Sequence, residues 1–484
     1  MEYWVITTIM TAVYLIINLF IGIMAAKGQV DIREKLVGWA LASRRLGPVV
    51  MFFLIGAGAI SAYTFLGAPG WAYSLGAPIA YVIAYLTLGY FVVYLMADKI
   101  WRIGKIREFI SQAQVFAYRF ESDLVGLLAA LTGTIGMIGY GVVQGMGFGY
   151  LMNFCTGGRV PFWAGTILIY GVMLIYVLIA GIRGMGWTNV YQGIMMYVMA
   201  WLVSLLTIKI LVGGGYHEVF TKLAEEVPES LTLAGGGWSY AFWTTAVIVC
   251  AIGIVCWPSL WIMLFSAKSI RVLKRSISLI PLYWTIIIPM IVVGWAGRLV
   301  MPGVTPADTI SMEMAKASLP AWLTGIFFAA VLAAAMSSSE GLPFTAGVLI
   351  TTNMIMPYVK LSEKRRLQIA KLMTVVCTVI IITISILRPA TIVGVLLLSY
   401  GYFVQLFPSI IAMFYWPRAT KYGVISGFIA GLIVTTLCSG YPYTHPYGIH
   451  AGMWGFIANT LALIIVSYLT KPPRQEIIQE FIQL

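Results

Sequence analysis

Charge is scarce in this chain. Only 10% of its 484 residues are Asp, Glu, Lys or Arg, whereas 61% are hydrophobic, and mean hydropathy is +0.93. Soluble domains carry about a quarter charged residues and about half apolar ones. A water-soluble fold of this length has no means of hiding so much apolar surface, because single cores stop growing beyond about 300 residues. That leaves the bilayer as the solvent. Histidine is nearly absent: the three present (His217, His445, His450) fall between apolar runs, and no HExxH or Walker A sequence exists. Zinc hydrolases and P-loop motors are thereby excluded, and the chain is not expected to be an enzyme. The five cysteines (Cys155, Cys250, Cys256, Cys377, Cys438) show no CxxC spacing, so they read as small buried hydrophobes rather than disulfides or metal ligands. A cleavable leader is also not expected, since the first apolar run, 3–26, is too long for an h-region and lacks a basic n-region.

What is present is a series of long apolar runs. A crossing of about 30 Å of hydrocarbon needs about 20 apolar residues. The runs predict thirteen helices at 3–26, 47–75, 77–98, 122–154, 160–182, 186–212, 239–265, 276–302, 320–357, 367–387, 390–416, 422–440 and 451–470. Several exceed what a straight crossing needs, which predicts tilts or breaks. The segment 213–238, with Glu218, Glu225, Glu226 and Glu229, is the longest predicted outside and is expected to hold a short helix. The tail after Lys471 is brief, so function is expected to reside in the spans.

Loop charge orients them. With the N-terminus outside, alternate loops place 24 of the 30 Lys and Arg inside and 6 outside, as the positive-inside rule requires. A miscounted span would scramble that split. The net charge of +13 is therefore topological, and no nucleic-acid partner is expected. The expected location is the plasma (inner) membrane, with the N-terminus extracellular or periplasmic and the C-terminus cytoplasmic.

Polar groups at membrane depth are costly and mark function. Of 17 acidic residues, Glu340 alone is predicted deep inside a span, with Asp98 at a cytoplasmic end. Glu340 closes the run Ala333-Ala334-Ala335-Met336-Ser337-Ser338-Ser339-Glu340-Gly341, whose small residues allow close helix approach. Ser337 and Glu340 are three apart and share a face. Hydroxyls and carbonyls are hard ligands suited to an alkali cation; equally, serines can back-bond to the preceding turn and merely pack. Glu340 can supply charge, hold a proton or pack in protonated form. The second span carries Gly56-Ala57-Gly58-Ala59-Ile60-Ser61, poor in strong helix formers. Either it packs as a small-residue face or it breaks near 57–61, freeing carbonyls for a cation and aiming helix N-terminal amides at an anion.

Four ordered motifs carry a resemblance. They are Ser61-Ala-Tyr-Thr-Phe-Leu-Gly-Ala-Pro-Gly-Trp-Ala-Tyr73 in the second span and Gly181-Ile-Arg-Gly-Met-Gly-Trp-Thr-Asn-Val-Tyr-Gln192 in the sixth. The ninth gives Ala334-Ala-Met-Ser-Ser-Ser-Glu340, and the eleventh gives Trp416-Pro-Arg-Ala-Thr-Lys421 followed by Gly423 and Gly427. From about residue 40 to 430 the chain resembles the sodium/solute symporter family, whose members carry proline, sugars, pantothenate, sialic acid or monocarboxylates. The resemblance implies an all-α integral membrane protein with the leucine-transporter fold. It has a leading helix (3–26), two five-helix repeats of inverted topology (47–212 and 239–416) and two trailing helices (422–470), forming one transport domain. It implies sodium as coupling ion, held by the carbonyls of Ala57, Ile60 and Ala334 and the hydroxyls of Ser337 and Ser338. Two positions depart from the pattern. Asn189 stands where the family commonly has an Asp that helps bind a second sodium, so that site is expected to be weakened, with Asn189 and Glu340 as second-site or coupling candidates. Ala59 stands where proline carriers have an Asp.

The solute site is expected beside the sodium at the midplane. Its candidates are Ser61, Tyr63, Thr64, Gln144, Trp257, Trp261, Tyr400 and Gln405, hydrogen-bonding groups with aromatic walls. The stretch Trp257-Pro-Ser-Leu-Trp-Ile-Met-Leu-Phe-Ser-Ala-Lys-Ser269 looks most like the monocarboxylate-carrying branch. The expectation is a sodium-coupled symporter importing a small carboxylate, working as a monomer in the lipid bilayer. The alternatives are proton coupling, an amino-acid, sugar or pantothenate-like solute, or, in another class, a channel. A channel needs a continuous polar pore, and polar positions here are too thinly spread for one.

Overall fold

The computed structural model describes residues 2–27, 29–440 and 445–484. Among these the regular structure is helical, apart from one isolated bridge between Leu46 and Ala267. Helices are what a lipid solvent permits, because each satisfies its own backbone polar groups.

Among the described residues, ten helices are long and apolar enough to cross a membrane, and two bent pairs bring the number to twelve. One of the ten, Phe162–Leu211, has 50 residues and is about 75 Å long at 1.5 Å per residue, over twice what a crossing needs. Gly181 inside it leaves helical geometry at φ +55°, a conformation that favours glycine, and a side chain there would collide with the Trp39 carbonyl. The two arms of the helix on either side of Gly181 take separate numbers, which gives thirteen helical segments, whereas the candidate crossings among the described residues number ten to twelve against the thirteen expected. The sequence led us to expect a short loop at 183–185; instead helix continues on both sides of one glycine.

The spans run as follows: first, Tyr3–Met24; second, Pro48–Ala59 with Tyr63–Leu75; third, Ala77–Ile106; fourth, Asp123–Cys155; fifth and sixth, the two arms of Phe162–Leu211. The seventh is Tyr240–Cys256 with Pro258–Ser266, the eighth Ile270–Val300, the ninth Ala321–Ile355 and the tenth Glu363–Leu387. Ile392–Tyr415, Lys421–Cys438 and Ala451–Leu469 complete the set. In its most apolar stretch the ninth span is 83% buried within the protein, against 28% for the first and thirteenth. The ninth is therefore the central post, and the leading and trailing helices are cladding. Cys155, Cys250, Cys256 and Cys377 are buried free thiols, as expected.

Two spans bend sharply, the second by 50° and the seventh by 43°. The first of these bends was anticipated and the second was not. Its cause is Pro258, which pushes Trp257 into extended geometry (φ −61°, ψ 117°) and then opens the next helix at its first position. Short helices cap the bundle between spans, including Gln112–Arg119, Tyr216–Glu226 within the segment expected to hold one, and Ile310–Ser318.

The C-terminal tail is more than a brief end. It forms helix Gln475–Ile482, docked by a forked ion pair from Arg107 to Glu480 at 2.6 and 2.8 Å and by the buried Phe481 against Phe414. At the same end of the bundle Lys274 pairs with Asp98, and Arg44 donates to the Phe109 and Phe265 carbonyls.

Candidate functional site

The break in the second span exposes backbone groups that must find partners elsewhere. After the tight turn Ala57–Ala59, Ile60 is extended (φ −74°, ψ 136°), and helix resumes at Tyr63. The Ala57 carbonyl accepts from the Ile60 N–H at 3.0 Å. The Ile60 carbonyl, turned away from the helix, accepts from the Ser338 hydroxyl at 2.5 Å and lies 3.1 Å from that of Ser337. The Ser337 hydroxyl is also 3.0 Å from the Ala334 carbonyl. It has one proton for two carbonyls, so oxygen lone pairs remain unused here. Four of the five expected sodium ligands thus form one connected group, and the fifth, Ala57, is a turn away.

The amide side of the break is equally accounted for. The Ala62 N–H donates to Gln144 Oε1 at 2.9 Å, the Tyr63 N–H to the Ser61 hydroxyl at 3.2 Å, and the Ser61 N–H to the Thr64 hydroxyl at 3.5 Å. Ser61, Thr64 and Gln144, expected to touch solute, are thereby engaged in holding the broken backbone. Tyr63 reaches the Tyr81 hydroxyl at 3.3 Å.

A cavity of ≈ 10 Å³, about the room of one water, lies between the two breaks. Gly58 and Ala59 of the second span line it, with Trp257, Ser259 and Leu260 of the seventh, Ser338 of the ninth, and Tyr90 and Tyr140. A far larger cavity of ≈ 690 Å³ lies elsewhere, bordered by Trp71, Trp238, Phe242, Thr391, Leu397 and His450. The smaller one is the stronger candidate, because both helix breaks and Ser338 converge on it.

Of the expected solute residues only Trp257 lines this cavity, and its indole N–H is buried without a partner. Tyr400 stands behind it, 5.7 Å from the Trp257 ring. Trp261 faces away: its indole donates to the Val255 carbonyl at 2.8 Å and so bridges the seventh-span break. Gln405 is also elsewhere, bonded to the Gly401 and Gly452 carbonyls beside the thirteenth span. Tyr140, which sequence reasoning missed, has its hydroxyl toward Ser61 and Ser338 and its ring 5.2 Å from Trp257. No spacing signal singled it out among the aromatics of the fourth span.

Glu340 is fully buried. Its carboxylate accepts from the Tyr176 hydroxyl at 2.6 Å and Gln192 Nε2 at 3.3 Å, and the Thr188 hydroxyl stands 3.1 Å from Oε2. Gln192 also donates to Tyr14 and Asn18 of the first span, each at 3.0 Å. Asn189 takes another direction. A methyl placed on Gly58 would stand 3.7 Å from its amide nitrogen and 3.8 Å from the Ser337 carbonyl, which sets Asn189 beside the break; its Oδ1 is buried and unpartnered. No hydrogen bond joins the two candidates among the described residues.

The profile of the sodium:solute symporter family matches residues 39–431. The chain is 29% identical over 478 residues to an uncharacterized symporter, YhjB, of Bacillus subtilis (strain 168), covering 94% of this chain and 96% of that one. It is 23% identical to a monocarboxylate transport permease protein of Rhizobium johnstonii, over 89% of this chain and 90% of the relative. Its backbone matches that of a Na+-coupled sialic acid symporter, solved substrate-bound and outward-open, with a TM-score of 0.82 at 19% identity, covering 98% of this chain and 100% of that one. The chain therefore belongs to the sodium:solute symporter family, and it is a multi-pass membrane transporter of the leucine-transporter fold, not an enzyme.

Proposed function

We propose that this protein imports a small carboxylate together with sodium, binding both at the junction of the two broken spans. The observation that carries the reading is the convergence of the Ser337 and Ser338 hydroxyls on the Ile60 carbonyl. Sodium is held by the carbonyls of Ala57, Ile60 and Ala334 and by those two hydroxyls. The inner arm, Pro48–Gly56 with its tight turn, presents its C-terminal, partially negative end there, which favours a cation.

The solute occupies the cavity on the other side of Ser338. The helix Pro258–Ser266 starts at its wall, and a helix N-terminus favours an anionic group. The unpartnered Trp257 indole N–H and the hydroxyls of Tyr140 and Ser259 supply donors, and no basic side chain lines the cavity. Likeness to the Rhizobium permease agrees with a monocarboxylate. At ≈ 10 Å³ the cavity is too small for any such solute, so binding requires the walls to part.

The repeats run over 47–212 and 239–416, each opening with its bent helix, and alternating access is their rocking about this site. External sodium binds first, draws the second span against the ninth and completes the solute pocket; coupling is the difference in affinity between outward and inward states. The N-terminus lies outside and the C-terminus in the cytoplasm, which the 24 to 6 division of basic residues supports. Uptake of labelled monocarboxylates, amino acids and sugars into proteoliposomes, with and without a sodium gradient, tests the reading. Accumulation of a small carboxylate only with the gradient supports it, and gradient-independent equilibration contradicts it.

A further inference from the structure

Asp308 is a buried carboxylate outside the spans. It lies between the eighth and ninth, in the turn Ala307–Thr309 that leads into helix Ile310–Ser318, and is 6% exposed. Two other elements meet on it. Gly70, in the outer arm of the second span, packs so closely that a methyl there would stand 2.9 Å from the carboxylate oxygen and 3.0 Å from the Asp308 nitrogen. The Ile392 N–H, in the first turn of the eleventh span, faces the carboxylate and favours its charged form, which suits an anion at a helix N-terminus. Three residues on, the Ser311 hydroxyl donates to the Phe65 carbonyl at 2.6 Å, within the wide helical turn Tyr63–Gly67. Asp308 and Ser311 together clasp the outer arm of the second span to the start of the eleventh.

Little compensates the charge. Tyr150 faces Asp308 from the fourth span, and beyond it lies Arg388, its guanidinium 3.5 Å over the Phe162 ring and 5.5 Å from that of Tyr150. Tyr73 of the second-span arm is engaged with Met301 and Val304. Glu313 and Lys316 are the charged groups of its own helix. Among the described residues none forms an ion pair with Asp308. Burial accordingly pushes its carboxyl up to about 7, with the Ile392 N–H opposing in part.

We propose that Asp308 is a proton-sensing latch on the outer gate: its carboxyl leaves water when the loop helix, the second-span arm and the eleventh span close together, and an external proton favours that closure. A carboxyl in water titrates near 3.8 and this one, closed, near 7. Closing therefore takes up a proton between those values. Acid favours the closed arrangement, and the benefit is lost as pH rises through about 7. From pH 6 to pH 8 the closed-to-open ratio falls about tenfold by this linkage. The proton comes from outside and returns there, so the latch senses pH without adding a transported ion. It rests on the carrier reading only in requiring an outer mouth that opens.

The test is pulsed electron–electron distance measurement between spin labels at the exposed Ala317 and Tyr240 in the full-length protein in proteoliposomes, across pH 6–8, with and without sodium. The latch predicts a short-distance population that shrinks about tenfold relative to the long one as pH rises. It predicts that Asp308→Asn stays closed and pH-insensitive. Ser311→Ala should open more at every pH while keeping the pH response, and it carries the test if Asp308→Asn does not fold. Distances that answer sodium but not pH, or a pH response that survives in Asp308→Asn, overturn the latch alone. A single distance under every condition contradicts the rocking carrier as well.

Discussion

The Ser338 hydroxyl stands 2.5 Å from the Ile60 carbonyl, joining residues 278 positions apart. One comes from an intact helix and the other from the point where a helix stops. The carbonyl is available only because the second span is broken, and the serine reaches it only because the alanines before it let the ninth span come close.

Gln144 is predicted to hold that break. Its Oε1 is the acceptor for the Ala62 N–H, so Gln144→Met, close in volume but without the acceptor, leaves a buried donor unpaired. The expected cost is about 1–3 kcal/mol, read as a lower unfolding midpoint in detergent. An unchanged midpoint would show that the break is held by other contacts.

The second anchor is testable in the same way. Glu340→Ala removes the acceptor of Tyr176 and should destabilise by about 1–3 kcal/mol, since Gln192 keeps Tyr14 and Asn18 as partners. Glu340→Gln keeps an acceptor and should unfold close to wild type. Equal losses in both would mean that negative charge, rather than hydrogen bonding, is what the cluster needs.

Much of this was legible in the sequence. A bilayer forces runs of about 20 apolar residues and sorts basic loops to one side, so the spans and their order could be read directly. The break at 57–61 was legible because Gly56, Gly58 and Ser61 weaken helix within six residues. The break at Trp257 was not, although Pro258 marked it; inside an apolar run a proline also reads as a tolerated kink. Sequence displays hydroxyls and amides without their partners. It therefore shows Ser61, Thr64 and Gln144 as solute candidates but not the backbone amides they accept from, nor that Tyr140 stands beside Trp257. The partners of Glu340 lie 148–164 residues away, beyond the reach of any local pattern.

Trp257 and Tyr140 should separate solute from ion. Trp257→Phe keeps the ring but removes the unpartnered N–H and should raise the solute KM by about tenfold, the worth of a lost hydrogen bond of about 1.4 kcal/mol. Its sodium dependence at saturating solute should be unchanged. Tyr140→Phe, which loses the hydroxyl facing Ser338, should alter both. The reverse pattern would place the solute elsewhere.

Asn189 bears on stoichiometry. Its amide lies beside Gly58 and the Ser337 carbonyl with Oδ1 unpartnered. Asn189→Asp supplies a charge to that oxygen and should steepen the sodium dependence of uptake, as a second bound ion would. An unaltered slope would make the position structural.

The most direct measurement is binding of radioactive sodium to the purified protein, comparing wild type with Ser337→Ala and Ser338→Ala. Removing either hydroxyl should raise the sodium concentration for half-saturation by about tenfold or more, since about 1.4 kcal/mol of binding energy is a factor of ten. Unfolding midpoints in sodium-free buffer should stay close to wild type. Half-saturation unchanged in both variants would contradict a sodium site between Ile60 and the serine pair.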